Sequence, residues 1–371
     1  MYDVIIIGAG AMGSATAYHL AQSGAKTLLL EQFSRGHTFG SSHGETRIIR
    51  LVYHKQFYTE LMKSAYAEWR DLEQASGKTL LFVTGSVMIA PDGHEYAANI
   101  RASLDAAGVE SEWWTPGQLT SRFPQFRIEQ EGISVLWQKD TGFLHASACI
   151  QTHLELAEQH GAEFRTETPV TEINWQEDTP EVTVEGERFR GKKIVVTAGA
   201  WAGQILSELN LPLTVTRQQI VYYRPTAPKQ FHPARFPIFV DVMRDEFLYG
   251  FPVFAREGVK VARHGMGQPV SPDTCDRTPD PEYVNYLRAF MKERVPDAAG
   301  EPLHSHVCLY TETPDEDFII DTHPECPNLL IAAGFSGHGF KFASLVGRIL
   351  SEVALTGQTG FEITPFRINR F

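Results

Sequence analysis

The chain has 371 residues, 43% of them hydrophobic, enough to bury one large core or two cooperating ones, and two domains are the expectation. A formal net charge of −12 with no long basic run excludes a nucleic-acid surface, whose affinity would come from neutralising phosphates, and leaves a small molecule as the expected partner. The four cysteines, Cys149, Cys275, Cys308 and Cys326, have spacings that fit neither a disulfide framework nor a zinc site, so a reducing, cytoplasmic setting without a metal is expected.

Residues 3–31, DVIIIGAGAMGSATAYHLAQSGAKTLLLE, predict a strand, a Gly-x-Gly-x-x-Gly turn, a helix and a second strand ending in an acid. In such a turn Gly8 makes the tight bend, Gly10 lets the backbone approach a pyrophosphate, and Gly13 lets the helix pack closely on the sheet. Glu31 stands where a ribose hydroxyl needs an acceptor. This is a dinucleotide site, and the fingerprint alone leaves NAD and FAD both open. Its apolar run, VIIIGAGAMG, lacks a basic leader and is broken by glycines, which predicts neither a signal peptide nor a membrane span.

Over 79–143 and 213–317 the sequence turns to aromatic, alternating stretches such as TVTRQQIVYYRP, FPIFVDV, EFLYGFPVF and GVKVARHG, which predict an antiparallel sheet. In the last of these, alternation sets Lys260, Ala262 and His264 on one face and Val259 and Val261 on the other. From the residues alone, a lysine guarding an edge strand against aggregation is the plainer reading of Lys260, and a small core thiol the plainer reading of Cys308. The segment 191–206, GKKIVVTAGAWAGQIL, predicts a buried strand, a Gly/Ala-rich turn and a helix, and 328–355 repeats that pattern. These pieces give an α/β, Rossmann-like nucleotide domain assembled from discontinuous segments, 1–78, 144–212 and 318–371. A second, antiparallel-sheet domain of α+β type, 79–143 and 213–317, roofs the substrate. No internal repeat or flexible linker separates the two, so they are expected to interleave.

Five motifs, GSSHGETRIIR (40–50), YGFP (249–252), VKVARHG (259–265), VCLYTETPDEDFIID (307–321) and GFSGHGFKFA (334–343), resemble the family of monomeric sarcosine oxidase, N-methyltryptophan oxidase and the peroxisomal sarcosine/pipecolate oxidases. The resemblance runs essentially end to end, including the closing ITPFRINRF. It implies an FAD enzyme that oxidises the C–N bond of a secondary amino acid and passes the electrons to dioxygen, giving an imine and hydrogen peroxide. The segment 191–206 likewise resembles the return strand of flavoproteins, in which Gly199 passes close to the dinucleotide. By resemblance Cys308 carries FAD through a thioether, a bond that needs a thiolate nucleophile. Arg50 and Lys341 form the substrate carboxylate clamp, and Lys260 activates oxygen beside the flavin, while His264 and Tyr249 line the substrate pocket. His43, Thr46, Arg47, Gly337 and Gly339, with Tyr310 and His338, are candidate pocket or flavin contacts.

The chain departs from the family pattern at Ser42-His43-Gly44 and the following LVYHKQFY, where sarcosine and N-methyltryptophan oxidases carry a His-His-Gly stretch and a glycine-rich loop. Replacing that loop by Leu51, Val52, Tyr53 and His54 is expected to change pocket size and lid mobility. The expected activity is therefore oxidation of sarcosine or a related N-methyl amino acid by a cytoplasmic monomer without membrane or nucleic-acid partners. Three alternatives stand beside it: an oxidase of pipecolate, proline or N-methyltryptophan, a flavin-binding subunit without turnover, and an NAD-dependent dehydrogenase.

Overall fold

The structure, a computed structural model, describes residues 1–176, 179–244 and 246–371. The strand Tyr2–Ile7 is the centre of a sheet in which it pairs in parallel with Thr27–Leu30 on one side and with the second half of Glu187–Val196 on the other. Glu163–Arg165 extends the sheet beyond Thr27–Leu30, and Cys326–Ala333 joins Glu187–Val196, both in parallel. Strands buried on both faces read as continuous apolar runs, and Val4, Ile5, Ile6 and Ile7 are all at most 4% exposed. The helices Ala11–Gln22, Ala146–Gln159 and Ala343–Thr356 pack together over one face, and Gly347 makes this possible: a Cβ there would fall 2.5 Å from the Ala15 carbonyl carbon.

The second sheet has nine strands and runs almost entirely antiparallel. Pro302–Glu312 pairs with Thr214–Tyr223, which pairs with Val259–His264, then Phe247–Phe251, then Ile238–Asp241. Ile238–Asp241 meets Ser86–Pro91 in parallel, so the expected all-antiparallel sheet carries one parallel seam where chain segments more than 140 residues apart are brought side by side. Val221, Val259 and Val261 face a core closed by the helix Pro281–Arg294. Lys260 and His264 point the opposite way, as the alternation requires, into a cavity between the two sheets. A small third sheet, Thr46–Ile49 with Gly142–His145 and Leu81–Val83, carries Thr46 to the cavity wall, and Arg50 follows it directly. No helix among the described residues is long and apolar enough to cross a membrane.

Candidate active site

The cavity holds about 850 Å³. It runs from the glycine turn past residues 197–204 to Tyr249, Lys260, His264, Tyr310 and Lys341. At its first end the close approach expected of the fingerprint is explicit. Gly8 has φ +99°, and a Cβ on Gly13 would stand 1.8 Å from the Gly8 carbonyl oxygen, so only glycine lets the helix start so near the strand. Gly13 is thus a packing residue behind the wall, whereas Gly8, Gly10 and Gly199 lie on it. The helix Ala11–Gln22 begins at Gly10, which has no side chain to cap it, and has no acid in its first turn; Ser42 Oγ accepts the Ala11 amide at 3.2 Å, and the other first-turn N–H groups and the positive end of the helix dipole are left for an anion. Glu31 accepts the amides of Ala9 at 2.8 Å and Phe33 at 3.0 Å; a carboxylate has about four acceptor sites, so it retains room for a hydroxyl.

The middle of the cavity is cationic. Arg47 donates to the carbonyls of Thr46 at 3.0 Å, Ser41 at 3.0 Å and His43 at 2.6 Å, tying down the stretch that contains Ser42-His43-Gly44. Lys260, 3% exposed, donates to the Thr46 carbonyl at 2.8 Å and to Thr46 Oγ1 at 3.2 Å, and its Nζ lies 4.7 Å from the centre of the Phe251 ring. Burial, then the Arg47 charge, pushes its pKa well below the ordinary lysine value. Cys308 is 7% exposed, on the wall, opposite Gln218 in the neighbouring strand. Burial pushes its thiol up, while Arg47, Lys260 and Arg277 pull it toward the thiolate. His43 is driven down to about 3 by burial and Arg47, so its ring is neutral, and its Nε2 is buried without a partner.

At the far end, Arg50 stacks its guanidinium 5.2 Å from the Tyr53 ring, and its Nε is buried and unpartnered. Lys341, 2% exposed, donates to Tyr53 Oη at 3.0 Å and to the His338 carbonyl at 2.6 Å. Burial, then the Arg50 charge, pushes its pKa well below the ordinary lysine value; in its charged form two of its three N–H groups are thereby fixed and the third is left for the cavity. Its backbone carbonyl is held by the indole N–H of buried Trp69 at 2.7 Å. His264, lowered to about 4 by burial and by Arg50 and Lys341, is neutral, with Nδ1 3.4 Å from Tyr310 Oη. Gly337 has φ +73°, and a Cβ there would sit 2.2 Å from the Tyr310 ring, so this glycine lets the tyrosine lie against the loop. Val240, Phe247 and Tyr249 give this end an apolar side.

Every candidate named from the sequence except Gly13 lines this one cavity: the glycines with Glu31 at one end, His43, Thr46, Arg47, Lys260 and Cys308 midway, and Arg50, Tyr249, His264 and Lys341 at the other. The segment 51–54 is different. None of its residues is on the wall; Val52 and Tyr53 are buried behind it and His54 is exposed. The segment bears on the site from behind, Leu51 and Val52 through the apolar cluster they share with Val240, Phe247 and Tyr249, and Tyr53 through its hydroxyl. Tyr53 and Trp69, which hold Lys341, were not signalled by any motif, because their partner is 288 and 272 residues away.

The donor set fits FAD. Unpartnered buried atoms at His43 Nε2 and Arg50 Nε, a helix start with no acid in its first turn, and a long cavity connecting them match a group with a pyrophosphate at one end and a ring system among cations at the other. Residues 3–353 match the family described as FAD dependent oxidoreductase. The chain is 38% identical to monomeric sarcosine oxidase of Bacillus sp. (strain NS-129), over 100% of this chain and 97% of that protein. It is 32% identical to N-methyl-L-tryptophan oxidase of Escherichia coli, over 100% and 99%. The fold matches NikD, an unusual amino acid oxidase, with a TM-score of 0.89 at 24% identity, over 99% and 97% of the two chains. The chain belongs to the FAD-dependent oxidoreductase family, alongside the monomeric sarcosine oxidases and N-methyltryptophan oxidases.

Proposed function

We propose that the protein is an oxidase of secondary amino acids, with sarcosine or a close N-methyl relative as substrate, covalently bound FAD as cofactor and dioxygen as acceptor. The observation that carries this reading is the convergence of half-buried Arg50 and buried Lys341 on the end of the cavity remote from the glycine turn, with Lys260 and Cys308 between. FAD, when bound, takes the two electrons released by the substrate's C–N bond and delivers them to dioxygen.

The free N–H of Lys341 and the unpartnered Nε of Arg50 bind the substrate carboxylate, each bond contributing about 1.5–3 kcal/mol. The amine must be neutral before the C–N bond can be oxidised. The acids on the cavity wall, Glu31, Glu172 and Glu208, all belong to the nucleotide end, so at the clamp a substrate ammonium meets cations and a neutral His264. That environment lowers the amine's pKa and favours loss of its proton without a dedicated base. Lys260 keeps one N–H beyond the two that Thr46 accepts, and its charge stabilises negative charge developing on dioxygen. Cys308 Sγ is the attachment atom, with Arg47 and Lys260 the cations that favour its thiolate.

On the same reading 1–78, 144–212 and 318–371 form the cofactor unit, whose segments supply every strand of the parallel sheet. The substrate unit, 79–143 with 213–317, supplies the nine-stranded one. The chain is read as a cytoplasmic monomer, in keeping with its four free cysteines. A peroxide-coupled assay of the purified yellow protein against sarcosine, N-methylalanine, pipecolate, proline and N-methyltryptophan tests the proposal. Peroxide released fastest with sarcosine or N-methylalanine supports it; preference for a cyclic or indole substrate refutes the substrate, and no peroxide with any refutes the activity.

A further inference from the structure

Lys341 is the terminus of a hydrogen-bond chain that begins outside the cavity, in the turn 313–317. Thr313 Oγ1 donates to the Asp317 carbonyl at 2.7 Å, and Glu316 takes a left-handed φ of +61°. Arg370 grips this turn as a fork, with Nε 2.8 Å and a terminal nitrogen 3.2 Å from the two oxygens of Asp315, and the same nitrogen 2.9 Å from the Asp317 carbonyl. From the other side Lys55 Nζ lies 2.8 Å from both Asp317 carboxylate oxygens, and Tyr58 Oη donates to one of them at 2.9 Å.

The turn then dictates a proton arrangement. The Glu316 carbonyl can only accept, and it lies 3.0 Å from His338 Nε2, so that nitrogen carries the hydrogen. His338 is partly buried and neutral, desolvation and then the Lys341 charge holding its pKa well below the ordinary value, so Nδ1 is an acceptor. It takes the Tyr53 hydroxyl at 3.2 Å, and this leaves the Tyr53 oxygen's lone pairs to accept Lys341 Nζ at 3.0 Å. The His338 carbonyl takes a second N–H of the same ammonium at 2.6 Å. With each donor committed in one direction, the remaining N–H of Lys341 has a single aim.

We propose that the turn 313–317, latched by Arg370 and Lys55, positions the carboxylate clamp, acting on Lys341 through His338 and Tyr53. The inference rests on the clamp reading above. Lys55, Asp315, Asp317 and Arg370 are all absent from the cavity wall, so their route to a bound carboxylate runs through the turn. Releasing the turn lets the His338 ring reorient, removes the acceptor that fixes the Tyr53 hydroxyl, and gives Lys341 several orientations where it now has one.

The test titrates the flavin-loaded enzyme with acetate and follows the flavin absorption change. Arg370→Gln is expected to raise the acetate Kd about tenfold, the scale on which a small misplacement of a binding group acts. Arg370→Lys is expected to recover part of the loss, and substrate KM to rise with kcat little changed, as befits lost uniform binding. On a Tyr53→Phe background, where the chain is already cut, Arg370→Gln is expected to change Kd less than about twofold, the non-additivity that marks a shared route. Should Arg370→Gln not fold, Lys55→Met frees the other side of Asp317 and carries the same expectation. Acetate affinity unchanged in these variants, or the full loss persisting in the Tyr53→Phe background, overturns the latch while leaving the clamp. A wild-type enzyme that binds no acetate overturns the clamp and the latch together.

Discussion

Lys260→Met separates the two halves of the reaction. Methionine retains the length and apolar stem of lysine, so it fills the space beside Phe251 and removes only the ammonium and its two bonds to Thr46. On the proposed reading the amino acid is held by Arg50 and Lys341, at the other end of the cation group, so its oxidation should slow only modestly. Reduction of dioxygen creates a negative charge that the ammonium stabilises mainly in the transition state. A unit charge about 5 Å away at an effective dielectric of about 20 contributes about 3 kcal/mol, or about two decades in rate. Stopped-flow mixing of substrate-reduced variant with oxygenated buffer reads that step directly, and steady-state enzyme should bleach toward the reduced spectrum. Because burial pushes the Lys260 pKa well down, wild-type reoxidation should also fall as pH rises through that lowered value, and the methionine variant should lack this limb. The unfolded chain keeps its lysine protonated to about pH 10.4, so between the lowered and the ordinary pKa wild-type stability gains from rising pH, a gain the variant loses. Reoxidation at the wild-type rate would make Lys260 structural and move the oxygen site elsewhere.

Three further outcomes are expected. In an acid SDS gel the wild-type band should fluoresce with retained flavin, and Cys308→Ser should release it; complete release from wild-type protein removes the covalent assignment and leaves the glycine-turn site standing. Arg50→Gln should weaken simple carboxylates tenfold or more, the consequence of losing one bond of about 1.5–3 kcal/mol, and unchanged inhibition would shift the clamp to Lys341 alone. Arg294→Met should strand the Asp241 carboxylate, which is 2% exposed and paired with Arg294 at 2.6 Å, costing about 3–5 kcal/mol by thermal or denaturant unfolding; an unchanged Tm would mean that the pair contributes nothing.

What could be read in the sequence is what local spacing encodes. The glycine turn, its flanking strands and Glu31 form one contiguous stretch whose parts explain each other, and alternation in VKVARH was enough to turn Lys260 and His264 inward. The strand Glu187–Val196 was visible from 191 onward, but its first four residues hold a single apolar side chain, Phe189, among charged ones and pair with Glu181–Val184, so no apolar run announced them. The parallel seam between Ile238–Asp241 and Ser86–Pro91 has no local signature either, since either pairing direction leaves the same alternation of side chains.

The segment 51–54 shows where such reading ends and why. As a string it is a substitution in an entrance loop, and its apolar residues suggest a changed pocket wall. In the fold the helix Gln56–Ser76 follows at once, and its Tyr58 stacks on Tyr53 beneath the site, while Val52 joins the apolar cluster of Met88, Ala90 and Val240. Tyr53 then meets His338 and Lys341 from a glycine-rich loop nearly 300 residues later, and the three share protons in one arrangement. A hydroxyl whose role is set by two distant partners carries no periodicity and no motif of its own. Its significance comes from the tautomer that the Glu316 carbonyl imposes on His338, and that depends on a turn gripped by Arg370. Substrate affinity in this enzyme should therefore respond to residues that touch neither substrate nor cofactor.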